Sequence, residues 1–214
     1  TEPIQPARGV FALTNTHNWV KKNGQRVDLF EYPVDGVTNY TTWRGFEPEP
    51  GTLNTRGLDR MLTRAAETDK RLGYGVLMGA RCPDWVFTEA DCDPFEVVRN
   101  RNRDTMREKT FPERFYLPWT ETGEGRVLNE RVLAVIDRTV RAFAAVVRAH
   151  PHREHLQYIA MTGWPEGNGL ELQIPLNRYE DFSRLRYDRE ARRLYIRFCR
   201  RVVDSYLDAF PDVP

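Results

Sequence analysis

Long hydrophobic runs are missing from this chain of 214 residues, and none approaches the roughly 18 apolar residues that a membrane-spanning helix needs. A transmembrane protein or a membrane partner is therefore not expected. An excess of basic charge is also missing, since 32 lysines and arginines face 31 acidic residues and give a net charge of +1. Without a basic field to hold a phosphate backbone, nucleic acid is not expected as a partner.

Cysteine is scarce, with only Cys82, Cys92 and Cys199 and neither a Cys-x-x-Cys pair nor a zinc-binding spacing. Cys82 and Cys92 bracket a proline-containing segment, so they would close one loop by a disulfide in an exported protein and would be thiols otherwise. The chain begins with Thr1-Glu2-Pro3 and shows no apolar signal segment, as expected of a processed chain or a fragment. Secreted, periplasmic and cytoplasmic locations all stay open.

The chain does contain alternating strand and helix patterns, with 40% hydrophobic residues for one sizeable core. Short apolar or β-branched runs predict strands over 9–13, 34–43, 74–80 and 156–161. Helical spacing predicts a helix after a cap at Asn54 or Thr55, a second over 132–147 and a third over 189–210. Their apolar faces are predicted to contain Leu58, Met61, Leu62, Ala65 and Ala66, then Val132, Val135, Ile136, Val140, Phe143, Val146 and Val147, then Leu194, Phe198, Val202 and Tyr206. A long polar segment, 82–128, separates the third strand from its helix.

This alternation predicts an α/β fold with parallel strands. The doubly wound alternative is weakened because no G-x-G-x-x-G or Walker loop follows a strand, and no cofactor is expected. A (β/α)8 barrel needs eight strands, whereas four are found here. We therefore expect one partial domain, 1–214, that forms the N-terminal half of a larger barrel continuing beyond the C-terminus, or a half that pairs with another copy. The open edges of such a sheet predict self-association.

Tryptophans follow the predicted strands, at positions that would lie on the C-terminal rim where barrels build their active sites. Indole faces exposed on that rim would stack on the C–H faces of sugar rings, whereas the alternative for each ring is burial in the core. The rim position predicts substrate contacts for Trp43, Trp85, Trp119 and Trp164.

Charged residues share the predicted rim. Cleavage of a glycosidic bond usually takes two carboxyl groups, one that protonates the leaving oxygen and one that acts as nucleophile or base. The rim acids are Glu47, Glu49, Asp84, Glu166 and Glu171. Arg44 and Arg81, at the ends of the second and third predicted strands, would hold substrate hydroxyls or lower a neighbouring carboxylate's pKa, or else form salt bridges that fix the rim.

One stretch of sequence resembles a known family. Residues 43–54 read WRGFEPEPGTLN and are followed by Leu58-Asp59, a helix, a strand and the run Arg81-Cys82-Pro83-Asp84-Trp85. This pattern resembles the second and third βα units of family 42 β-galactosidase-like glycoside hydrolases, over about residues 34–87 and more loosely to 175. The resemblance implies a barrel that hydrolyses O-glycosidic bonds and binds carbohydrate.

The same resemblance implies an acid/base glutamate at the end of the fourth strand, within G-W-x-x-x-N-E. Residues 163–171 read GWPEGNGLE, so Trp164 and Asn168 match while Gly169 stands where the family has its glutamate. Glu171 or Glu166 would have to replace it, and the nucleophile, which the resemblance places on strand seven, is not in this chain. If residues 169–175 are extended, Glu171 and Gln173 share one face and point toward the cleft.

Two features of the sequence point to functions other than hydrolysis. Gly169 at the expected glutamate position favours a non-catalytic carbohydrate-binding protein on the same scaffold. The cluster His150, His152 and His155 resembles a metal-ligand set by composition, but it lies between a helix and the next strand, on the face that stabilises a barrel, so no metal is expected. Asn39-Tyr40-Thr41 matches a glycosylation sequon but falls inside a predicted buried strand.

Overall fold

The computed structural model describes residues 8–15, 21–22, 25–26, 28–79, 82–101, 109–163 and 188–213. Its strands are β1 (Phe11–Asn15), β2 (Lys21–Lys22), β3 (Gln25–Arg26), β4 (Gly36–Thr42), β5 (Arg71–Leu77), β6 (Phe95–Arg101), β7 (Lys109–Phe115), β8 (Trp119–Thr122), β9 (Gly125–Leu128) and β10 (Leu156–Ile159). Its helices are α1 (Trp43–Phe46), α2 (Arg56–Glu67), α3 (Trp85–Glu89), α4 (Glu130–Ala149) and α5 (Arg189–Ala209). No described helix is long and apolar enough to cross a membrane.

The main sheet contains four strands in the order β1-β4-β5-β10. β1 runs parallel to β4 and β10 runs parallel to β5. Each strand therefore lies beside the one that precedes it in the chain within this sheet, whereas a doubly wound sheet reverses its order partway. The predicted parallel α/β fold with about four βα units is confirmed, and the strand order is that of successive units of a (β/α)8 barrel.

The predicted elements lie close to the observed ones. The β4 strand ends one residue before Trp43, close to its predicted end, and β10 ends at Ile159, two residues short of its predicted end at Met161. The predicted apolar faces of α2, α4 and α5 are buried except for Ala66 and Val146, which are half-buried. Periodic burial against a sheet explains why these helices could be read from their spacing.

The chain divides into two compact units: residues 1–76, 139–161 and 205–214 form the first, and residues 77–138 and 162–204 form the second. In the first unit, glycines on one face of the main sheet make room for aromatic rings. A Cβ on Gly73 would overlap the Tyr158 ring, and one on Gly75 would lie 3.0 Å from Cδ1 of Tyr40. The hydroxyls of Tyr158 and Thr38 are hydrogen-bonded on this face. The two glycines of β5 thus let the Tyr158 and Tyr40 rings pack directly against the β5 backbone.

The opposite face of the main sheet packs against helices. The Phe143 ring of α4 lies 6.0 Å from Tyr74 of β5, 5.5 Å from Phe46 and 5.3 Å from Phe210, measured between ring centroids. Burial raises the pKa of the Tyr74 hydroxyl far above its ordinary value. Asn39 is 2% exposed in β4, so the glycosylation sequon is inaccessible in the folded chain.

The second unit contains structure that the sequence does not predict. Within the segment 82–128, read as one long polar stretch, the chain forms α3 and two antiparallel hairpins, β6–β7 and β8–β9. Gly123 and Glu124 connect β8 to β9, and a glycine at the first position of a two-residue loop is a hairpin signal that was available. The Tyr116 hydroxyl donates to the Gly163 carbonyl over 2.7 Å and its ring packs on Phe198, which anchors the segment in this unit.

Candidate functional site

The turn that follows β4 contains a buried carboxylate, that of Glu47. Glu47 is 1% exposed; its Oε2 accepts from Nε1 of Trp43 over 3.2 Å and from Oγ1 of Thr139 over 2.7 Å, and its Oε1 accepts from the Gly51 N–H over 2.8 Å. We call these four residues the Glu47 cluster. Three protein donors occupy the carboxylate, so Glu47, one of the predicted rim acids, holds this turn together.

The local sequence explains how the Glu47 cluster forms. The short helix α1 places Trp43 and Glu47 four residues apart, on the same side of one helical turn. Gly51 has a φ of +75°, a backbone conformation that favours glycine and that turns its N–H back toward Glu47. Thr139 comes from α4, where it lies between Ile136 and Phe143 on the apolar face. A lone polar residue on that face was the available signal for a buried partner.

The structure places the Trp43 ring differently from the expected sugar-stacking position. Trp43 is 0% exposed, and its indole nitrogen donates to Glu47. A fully covered ring offers no face to a sugar, so in this chain Trp43 packs in the core and orients the carboxylate. Its neighbour Arg44 is exposed on α1, in the segment after β4 where the sequence predicts substrate contacts.

Trp119 is likewise covered, this time within the second unit. It is 4% exposed, and the guanidinium of Arg126 lies 5.6 Å from its ring centroid. Arg126 also pairs with Glu121 at 2.8 Å and with Asp188 at 3.0 Å. Asp188 in turn accepts from the Ala191 N–H at the start of α5, and this bond, with Arg126, holds the pKa of Asp188 below its ordinary value. The predicted stacking ring is therefore part of a network that joins β8, β9 and α5.

Trp85 is the predicted aromatic residue that keeps some exposure. It is half-buried at the start of α3, and the Arg138 guanidinium lies 5.3 Å from its ring centroid. Arg138 is also ion-paired with Glu89 at the end of the same helix. The Arg138 cation covers one face of the indole. Because Trp43 and Trp119 are buried, Trp85 is the described tryptophan best placed to meet a ligand.

The other described rim acids are exposed. Asp84 is 67% exposed in its side chain and pairs with Arg114 at 3.1 Å, and Arg114 also lies over the Phe87 ring at 5.4 Å. Glu49 is exposed two residues after Glu47. The ion pair between Asp84 and Arg114 therefore fixes the start of α3.

The remaining predicted site residues lie outside the described residues: Arg81, Trp164, Glu166, Asn168, Glu171 and Gln173. Their roles therefore stay predictions.

The histidine cluster is engaged with backbone and neighbouring acids. Nδ1 of His150 accepts from the His152 N–H over 3.1 Å, and Nε2 of His150 lies 3.8 Å from Asp59. Nδ1 of His155 lies 2.9 Å from the Lys70 carbonyl. Among the described residues, no group of His, Cys, Asp and Glu side chains could hold a metal ion.

His150 is expected to make the stability of the chain depend on pH. Burial holds the pKa of His150 below its ordinary value, with Asp59 opposing the shift. As pH falls through about 6.5, the unfolded chain gains a proton that folded His150 resists, so stability is lost toward acid. We expect His150→Asn, which keeps an acceptor for the His152 N–H, to flatten the decline of the unfolding free energy between pH 7.5 and 5.5. Urea titrations at both pH values measure this, and equal slopes for the two proteins would refute it.

The three cysteines, all within the described part of the chain, are thiols, which matches the non-disulfide alternative. Burial raises the pKa of the Cys92 thiol, so this group is held in its protonated, unreactive form.

No protein-family model and no curated protein matches the chain. The solved structures that it resembles include glycoside hydrolases. An exo-β-1,4-mannosidase, Op5Man5 from Opitutaceae bacterium strain TAV5, is 16% identical with a TM-score of 0.46, and the match covers 96% of this chain and 31% of that one. A GH42 β-galactosidase, Gan42B from G. stearothermophilus, is 14% identical with a TM-score of 0.45, and the match covers 83% of this chain and 30% of that one. A GH5_18 protein from Streptomyces cattleya, in complex with Manβ1-4GlcNAc, is 13% identical with a TM-score of 0.47, and the match covers 98% of this chain and 43% of that one. The chain spans less than half the length of each.

Proposed function

We propose that this chain forms the first βα units of a glycoside hydrolase that cleaves O-glycosidic bonds, of the β-galactoside type, by a two-carboxylate mechanism. Glu171 is the proposed acid/base, with Glu166 as the alternative. The second carboxylate would come from a part of the protein that these residues do not include. The ligand is a carbohydrate, and no cofactor or metal takes part in the proposed step.

The observation that carries this proposal is the Glu47 cluster. The family pattern W-x-x-x-E-P-x-x-G has four fixed positions; three of them correspond here to Trp43, Glu47 and Gly51, and the proline corresponds to Pro48. These three are joined by hydrogen bonds to one carboxylate at the carboxyl end of β4. The resemblance therefore rests on residues that form one physical unit, which supports treating it as more than a chance match of letters.

The strand order gives independent support. In a parallel sheet the carboxyl ends of all strands lie at the same end of the sheet, and so do the loops that follow them. The exposed Arg44 lies at that end, just after β4. An exposed guanidinium at such an end would donate several hydrogen bonds to sugar hydroxyls. In the proposed site Arg44, Arg81, Trp85, Trp164, Asn168 and Gln173 would bind substrate beside Glu171.

The alternative function is non-catalytic carbohydrate binding on the same scaffold, and Gly169 at the family's glutamate position favours it. Hydrolysis of aryl β-galactosides and β-mannosides by the longest native reading frame that contains this chain separates the two. Turnover supports the hydrolase, whereas oligosaccharide binding by calorimetry without any turnover supports the binding protein. If neither turnover nor oligosaccharide binding is observed, both functions are overturned.

The 214-residue chain by itself is expected to have negligible glycosidase activity. One acid/base cannot replace an absent nucleophile, and loss of one member of such a pair typically lowers the rate by several orders of magnitude. Aryl-glycoside release by the purified chain, compared with buffer alone, measures this. Robust turnover by chain of verified mass would mean that both carboxylates already lie within residues 1–214.

A further inference from the structure

One face of α5 concentrates positive charge. Five exposed arginines on this helix form no ion pair with any described residue, unlike Arg201, which pairs with Glu130 at 3.3 Å. The five are Arg189, Arg192, Arg193, Arg197 and Arg200, and we call them, together with Ile196, the arginine face. The whole chain carries a net charge of only +1, so this face differs sharply from the average surface.

The helix geometry places these side chains together. At 100° per residue, positions 189, 192, 193, 196, 197 and 200 fall within an arc of roughly 140°, along about 16 Å of helix axis. Ile196 lies in the middle of the arc and is 43% exposed. The opposite face is buried through Leu194, Phe198 and Val202. The arginine face therefore points to solvent while the rest of α5 anchors it.

This arrangement costs helix stability. Arg189, Arg193 and Arg197 repeat every four residues, and like charges at that spacing repel along a helix. Arg189 in the first turn also opposes the positive end of the helix dipole, whereas Glu190 in the same turn favours it. Since neither helix stability nor an ion pair with a described residue explains the arginines, an anionic ligand that relieves their repulsion is the better explanation.

The residues around the arginines favour a protein as that ligand. Ile196 is a large aliphatic side chain in the centre of the charge, which a fully hydrophilic polyanion would not contact. Arginine around an apolar centre is typical of protein interfaces.

We propose that the arginine face docks an acidic protein segment, with carboxylates against the arginines and one apolar side chain against Ile196. This inference does not depend on the proposed hydrolase function, because it uses neither the Glu47 cluster nor the carbohydrate site.

Fluorescence anisotropy with two labelled peptides of about 16 residues tests the proposal. One peptide repeats Glu-Glu-Leu-Glu and the other contains glutamate alone. We expect the leucine-containing peptide to bind more tightly, and R193E/R197E to weaken its binding about tenfold at low salt. I196S should weaken binding of the leucine-containing peptide while leaving the glutamate-only peptide unchanged.

The matched control reverses two exposed arginines with the same spacing on α2, R56E/R60E, and should bind as the unaltered chain does. Circular dichroism of each variant checks that the fold is kept. Equal binding by R193E/R197E and the unaltered chain would overturn the proposal. Tighter binding to duplex DNA or heparin without an effect of I196S would assign the face to polyanions, and binding only to phosphatidylserine vesicles would assign it to a lipid surface; either result overturns it as well.

Discussion

Glu47→Ala is expected to lower the free energy of unfolding by about 3 kcal/mol, which for a chain of this size lowers the melting temperature by about 6–12 °C. The substitution removes the acceptor of three donors, and those of Trp43 and Thr139 lie in residues that are fully buried. A buried donor without an acceptor loses the water that would have solvated it, and the truncated side chain adds a cavity. Urea titration followed by tryptophan fluorescence measures the change.

Two further variants make this prediction specific. Glu49→Ala, at an exposed position two residues away, should change stability by less than about 0.5 kcal/mol. Thr139→Val removes one donor with little change in volume and should cost about 1 kcal/mol. Because the two residues share a hydrogen bond, the double variant should lose less than the sum of the single losses. Additive losses, or a Glu47→Ala chain as stable as Glu49→Ala, would show that the Glu47 cluster does not hold the turn.

Glu171→Gln, made in the longest native reading frame, is expected to abolish glycosidase turnover while leaving the fold and sugar binding intact. The amide cannot donate a proton to the leaving oxygen, and loss of an acid/base typically lowers kcat by several orders of magnitude. The sequence pattern favours Glu171 because residues 169–175 alternate, which puts Glu171 and Gln173 on one face and Leu170, Leu172 and Ile174 on the other. An alternative partner for Glu171 is an arginine such as Arg178 in a surface loop.

Glu166→Gln is the matched control and should stay close to full activity. Glu166 lies between Pro165 and Gly167, a setting typical of a turn apex whose side chain points into solvent. Aryl-glycoside kinetics of both variants give the answer. Loss of activity in Glu166→Gln alone would move the acid/base role to Glu166, and full activity in both would place the acid outside this loop.

Local patterns in the sequence were enough to predict the parallel α/β fold. Helix spacing identified the buried faces of α2, α4 and α5 because each buries one stripe against its neighbours. The continuous apolar run within β5 identified a strand covered on both faces. These features depend on residues a few positions apart, which is why a single sequence reveals them.

The candidate site was predicted less well, because burial of a side chain depends on distant partners. Trp43 and Trp119 were expected to be open, yet the structure covers both rings. The residue that completes the Trp43 environment is Thr139, which bonds to Glu47 across 92 positions of sequence. No periodicity links residues so far apart.

The sequence by itself determined the order of the main-sheet strands and of helices α2, α4 and α5, and the apolar faces of these helices, since each follows from backbone preference and side-chain spacing. Only the tertiary structure decided that Glu47 is a buried acceptor and that Arg126 and Arg138 lie over tryptophan rings. It also decided that the five arginines of the arginine face are exposed and form no ion pair with a described residue. The physical reason is that hydrogen bonds and cation–π contacts form between groups brought together by packing, and packing is a property of the whole chain.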